Sequence, residues 1–86
     1  MNIQELTGYP YAVYNILLDN IGSLTFKKEI LEKIYGKYYE KDYFKSRCLS
    51  VHINKIRKYL IKNKLNYQIK TISKSGFILE ELNKNI

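Results

Sequence analysis

Val13, Ile16 and Leu17, with Asn20, recur at the three- and four-residue spacing of one helix face, which predicts a first helix over 10–20. Pro10 suits its first turn, where the missing N–H is least needed, and Gly22 suits a left-handed residue just past its end. Leu24-Thr25 opens the next unit: Thr25 can cap a helix over 26–35 whose inward residues are Phe26, Ile30, Leu31 and Ile34, with Gly36 as the stop. After a connection over 37–46 rich in Tyr and charge, a third and longer helix is predicted over 46–62, with Leu49, Ile53, Ile56 and Leu60 on one stripe. Two β-type runs follow, 67–72 and 77–79, separated by Ser73-Lys74-Ser75-Gly76, and these read as a hairpin. The predicted order is helix, helix, long helix, hairpin. The fold class is mainly α with a small β-hairpin, a core over about 6–79 and a frayed tail over 80–86.

Length and composition narrow what such a chain can do. Eighty-six residues suit one small domain and exclude a two-lobed enzyme with a cleft between lobes. The single cysteine, Cys48, has no internal disulfide partner. No apolar run approaches the roughly 18 residues of a membrane span, and the first five residues lack the pattern of a signal peptide, so the expected compartment is the cytosol. One His, one Cys and scattered carboxylates offer no nucleophile–base pair, no metal cluster and no phosphate-cradling glycine loop, so neither catalysis nor a cofactor nor a metal is expected. His52, four residues after Cys48, is the one suggestive pair, and on a helix that spacing equally serves packing.

Charge changes the picture more than its total of +7 suggests. All eight acids lie outside 43–79, a stretch holding Lys45, Arg47, Lys55, Arg57, Lys58, Lys62, Lys64, Lys70 and Lys74. Nine cations there leave −2 for the rest of the chain, and a basic face of this kind points to nucleic acid. On the third helix Arg47, Val51, Asn54, Lys55, Lys58 and Lys62 all lie roughly 100° or more around from Ile53, opposite the apolar stripe. An ordinary solvated face mixes Glu with Lys to gain pairs three and four residues apart. Here Lys55, Lys58 and Lys62 repel one another at those spacings, and an anionic partner relieves the repulsion. Such a helix fits the major groove, where Lys and Arg meet guanine edges or phosphates, Asn meets adenine and Val meets a thymine methyl. Lys74 at the hairpin tip reaches a minor groove or phosphate, or merely decorates the turn; Thr71 donates to phosphate or serves its strand.

The residues just described resemble the winged helix-turn-helix effector domain of OmpR/PhoB-type response regulators. Arg47-Cys48-Leu49-Ser50-Val51-His52-Ile53-Asn54-Lys55-Ile56-Arg57-Lys58-Tyr59-Leu60 is similar to that family's R-x-V-D-V-H-I-x-x-L-R-x-x-L recognition helix. Ile69-Lys70-Thr71-Ile72 and Gly76-Phe77-Ile78-Leu79 resemble its I-x-T-V-x-x-x-G-Y-x-L wing, and Leu6-Thr7, Leu24-Thr25 and the 30–36 segment resemble its helix openings and second helix. The resemblance implies a double-stranded DNA-binding transcription regulator of a bacterium or phage, associated with the nucleoid, with 46–62 in the major groove and the wing over 67–79 on the minor groove or backbone. It implies that Arg47, Val51, His52, Asn54, Lys55 and Arg57 face or flank DNA, that Thr71 touches phosphate, and that the loop 37–45 meets RNA polymerase. Ser50 stands where the family often has Asp, and Ser73 where a basic wing residue is common, with Lys74 beside it. The candidate DNA-binding set is therefore Arg47, Ser50, Val51, His52, Asn54, Lys55, Arg57, Lys58, Lys62, Thr71, Ser73 and Lys74.

Within that set His52 and Arg57 fall on the flanks of the helix, at roughly −100° and 40° from Ile53, so they either border DNA or make core-edge hydrogen bonds or pairs with Glu29 or Glu32. Family members usually carry a small sheet before Leu6-Thr7 and a receiver domain, and neither is found in these residues, so a stand-alone domain is expected. Tyr9, Tyr11 and Tyr14, or a second copy of the chain as in a homodimer on repeated half-sites, would cover the surface that sheet normally covers, or the nine tyrosines are ordinary core and boundary residues, the more expected of the two. The competing reading is an architectural or protein-binding winged-helix factor of a phage or mobile element, which would have no use for Asn54 and Val51 as base readers.

Overall fold

The computed structural model describes residues 6–37 and 43–82, and within them three helices and a three-stranded antiparallel sheet. The elements are α1 (Gly8–Asp19), β1 (Leu24–Phe26), α2 (Lys27–Tyr35), α3 (Tyr43–Lys62), β2 (Tyr67–Ile72) and β3 (Gly76–Glu81). Strand order is β1-β3-β2, which leaves β2 on an edge. The three helices with a C-terminal hairpin form a winged helix-turn-helix. No helix among the described residues is long and apolar enough to cross a membrane.

One apolar core joins every element except β1. It takes Val13 and Leu17 from α1, Ile30 and Leu31 from α2, Leu49, Ile53, Ile56 and Leu60 from α3, and Ile69, Phe77 and Leu79 from the sheet. The stripe read on the third helix is thus buried in full, and its burial dictates which side of α3 remains in solvent. The Gly22 N–H donates to the Leu79 carbonyl at 2.8 Å, and Gly22 adopts φ 83°, so the turn after α1 ties that helix to β3.

Two expectations around the second helix are corrected. Thr25 does not cap it: Leu24–Phe26 pair with β3 in the register Leu24–Ile78, Thr25–Phe77 and Phe26–Gly76, and Thr25 is fully buried, accepting from Asn20 Nδ2 at 3.1 Å. The helix starts one residue later, with Phe26 in the cap position and no side-chain cap bond. Phe26, expected inward, is 54% exposed because strand pairing turns it out while Thr25 turns in. Gly76 makes this pairing possible. A Cβ there would stand 2.1 Å from the Thr25 carbonyl oxygen and 2.9 Å from Phe26 Cα.

The remaining boundaries differ by a few residues. α3 begins at Tyr43, three residues before the expected start, and β2 has the expected bounds. β3 runs from Gly76 to Glu81, beyond the expected 77–79, and the Leu82 N–H donates to Asn66 O at 2.8 Å, so the tail expected from 80 onward is strand at its start. The last four residues lie outside the described ones. α3 ends in a Schellman arrangement: Leu65 N–H donates to Leu60 O at 2.9 Å and Lys64 N–H to Ile61 O at 3.1 Å, with Lys64 itself at φ 54°. Ser73 takes φ 46° in the wing turn, which Ser75 N–H closes onto Ile72 O at 2.9 Å.

Candidate nucleic-acid interface

Because Leu49, Ile53, Ile56 and Leu60 are drawn inward, the other side of α3 presents Arg47, Ser50, Val51, Asn54, Lys55, Lys58 and Lys62, all exposed. The helix is 20 residues, about 30 Å long, and contains no acid. The ion pairs described, Lys33–Glu29 at 3.4 Å and Lys70–Glu80 at 3.5 Å, lie elsewhere, and among the described residues no carboxylate pairs with Lys55 or Lys58. Val51 is 51% exposed between these polar groups, a small apolar surface within a cationic field. Ser50 turns its hydroxyl back onto the helix, donating to Arg47 O at 3.3 Å.

The structure separates the flanking residues from this face. His52 is buried, 9% exposed, where α3 meets α2, and shares a 2.8 Å hydrogen bond between Nε2 and the Tyr35 hydroxyl. Tyr9 packs over both rings, 4.8 Å from Tyr35 and 5.6 Å from His52 between centroids. Burial, and then the charge of Lys55, holds the His52 pKa below its ordinary value, so the ring is neutral near pH 7. Its Nδ1 is buried and has no hydrogen-bond partner among the described residues. Of the alternatives open for His52, the one realised is a core-edge hydrogen bond, with an aromatic rather than an acidic partner.

Arg57 is half-buried and reaches toward the wing: Nη2 donates to Ile69 O at 3.0 Å and to Thr71 Oγ1 at 2.9 Å. Thr71 is exposed at the same place, and Ser73 and Lys74 are exposed at the tip. The acid-free stretch over 43–79 is less uniformly cationic in space than in sequence, since β3 brings Glu80 back beside β2. There it takes a 3.0 Å bond from Gln68 as well as the Lys70 pair, and these hold its carboxyl below the usual pKa.

One cation escaped the linear reading. Lys27, at the start of α2, lines a shallow notch of about 280 Å³ with Arg47, Leu49, Ser50 and Phe77, so it extends the basic surface from the start of α3 toward the wing. It lies outside the acid-free stretch and two residues before Glu29, so only the packing of α2 against α3 and β3 could reveal it. The loop expected to meet RNA polymerase lies outside the described residues from 38 to 42. Among the described residues no group of three His, Cys, Asp or Glu is placed to hold a metal.

An exposed cationic helix carried on a three-helix core with a β-hairpin beside it defines a winged helix-turn-helix DNA-binding domain. Residues 3–79 match the family described as "Transcriptional regulatory protein, C terminal", and the chain belongs to that family, the OmpR/PhoB-type effector domains. It is a DNA-binding domain of a transcription regulator, a family that is not enzymatic. No individual curated protein matches it.

Proposed function

We propose that the chain reads specific double-stranded DNA sequences, with α3 in the major groove and the β2–β3 wing beside it on the minor groove or backbone. The observation that carries this reading is the composition of the outer face of α3. Arg47, Lys55, Lys58 and Lys62 surround Asn54 and Val51 there, with no acid on the helix. The cations are suited to phosphates and guanine edges, and Asn54 and Val51 to an adenine edge and a thymine methyl. Lys27 beside Arg47, and Lys74 at the wing tip, would add phosphate contacts on either side. His52, bonded to Tyr35, is assigned here to supporting the helix from behind rather than to base contact. Contact with RNA polymerase through 37–45 belongs to the same reading through the family resemblance, and two copies on repeated half-sites would follow if a second copy covers the surface beside α1.

Selection of bound duplexes from a random pool, followed by a salt titration on the winner and on a scrambled duplex, tests it. A recovered consensus is expected, and with about six phosphates neutralised log K should fall against log salt with a slope of roughly −5. Equal affinity for scrambled duplexes would favour an architectural role, and a slope near zero would contradict the phosphate contacts of the cationic face.

A further inference from the structure

The wing is joined to the recognition helix at a seam that is only partly packed. Between the C-terminal half of α3 and the edge strand β2 lies an open crevice of about 230 Å³, lined by Arg57, Leu60, Ile61, Tyr67, Gln68 and Ile69. β2 has β3 on one side only, so the carbonyls on its other side need partners from elsewhere. Arg57 supplies one of them. Its Nη2 group crosses from α3 to the Ile69 carbonyl at 3.0 Å and the Thr71 hydroxyl at 2.9 Å, so one nitrogen grips the same strand at two points two residues apart.

We propose that Arg57 is a positioning residue: by clamping β2 at Ile69 and Thr71 it sets the angle of the wing to α3, and so makes the helix and the wing tip act on a duplex as one rigid two-point contact. This rests on the proposed DNA-binding mode. The lever is long enough to matter. Lys74 lies five residues beyond Ile69, about 16 Å along the hairpin, and beside Ser75, whose carbonyl accepts from Lys27 N–H at 3.0 Å and ties the β3 edge of the hairpin to α2; with that edge held, a twist of about 10° at the clamp would carry Lys74 by up to about 3 Å, the whole length of a hydrogen bond. The clamp also orients Thr71. Because its oxygen accepts from a guanidinium, the hydroxyl proton points away from Arg57, and the exposed Thr71 is left able to donate. A rigid wing meets its phosphate at high effective concentration once α3 is seated; a loose one does not.

The test uses the whole chain, the variants Arg57→Gln, Lys74→Ala and their combination, and the duplex recovered by selection. Thermal unfolding first confirms that Arg57→Gln is folded. If the clamp operates, Lys74→Ala weakens binding roughly three- to tenfold in the wild type and by less than twofold in Arg57→Gln, because a released wing no longer delivers Lys74. In the free protein, ¹⁵N relaxation of the 70–75 amides should show increased motion in Arg57→Gln. The same Lys74→Ala cost in both backgrounds, or wing amides whose motion is unchanged, overturns the clamp. A wild type that binds no duplex overturns the proposed function instead, and the relaxation measurement then decides the clamp by itself.

Discussion

Adding one methyl group at Gly76 should damage this domain far more than its size suggests. The Cβ of Gly76→Ala would stand 2.1 Å from the Thr25 oxygen, and 2.9 Å from both the Thr25 carbonyl carbon and Phe26 Cα. All three are backbone atoms, so no rotamer change relieves the clash, and β1 must retreat by more than an ångström. Overpacking of this kind costs about 1–3 kcal/mol. If β1 leaves the sheet, the buried Thr25 also loses its place against Asn20, about 1 kcal/mol more. A total loss of about 2–4 kcal/mol corresponds to a fall in Tm of roughly 10–25 °C for a chain of this size. The sign is diagnostic, since alanine in an unobstructed strand would stabilise by about 0.5–1 kcal/mol relative to glycine. Urea unfolding followed by far-ultraviolet circular dichroism measures it. A Gly76→Ala protein within about 0.5 kcal/mol of wild type would refute the β1–β3 approach on which the start of α2 depends.

Further predictions concern the helix end, the buried histidine and the outer face. Lys64→Gly should raise stability by about 1 kcal/mol, because Lys64 holds a left-handed conformation at the end of α3 that glycine adopts without strain; a lower urea midpoint would contradict this. The folded state holds the His52 pKa below 6.5, so between the two pKa values the unfolded chain binds more protons. Its contribution to stability should be complete above pH 6.5 and decline as the pH falls through the lowered folded value. Urea midpoints of wild type and His52→Gln across pH 5–8 check this, and parallel curves would rule out His52 as the source. Lys58→Ala should weaken all duplexes alike, whereas Asn54→Ala should lose discrimination at one base pair by about 1–3 kcal/mol; an unchanged ranking of sites would remove Asn54 from base reading.

The features legible in the sequence were those that depend on local spacing. Leu49, Ile53, Ile56 and Leu60 announce both the helix and its buried side, and the β-branched run over 67–72 announces its strand. β1 was not legible, because three residues are too few to show alternation and its partner lies some fifty residues further along the chain. The same tertiary pairing reverses the roles of Thr25 and Phe26. At the site, helix angle alone put His52 and Arg57 on the flanks but could not say what they touch. That depends on where Tyr35 and the free edge of β2 arrive in space. The acid-free stretch ends one residue short of Glu80, and a linear count could not foresee that β3 returns this carboxylate to Lys70.

Backbone amide shifts of the labelled protein, followed during titration with the selected duplex, address the central claim most directly, because they report which face meets DNA without altering any residue. The largest changes are expected at Arg47, Ser50, Val51, Asn54 and Lys58 on α3, with a second group at Ser73 and Lys74 on the wing. Changes centred instead on the exposed Tyr9 and Tyr11 of α1, with the outer face of α3 unmoved, would contradict that claim.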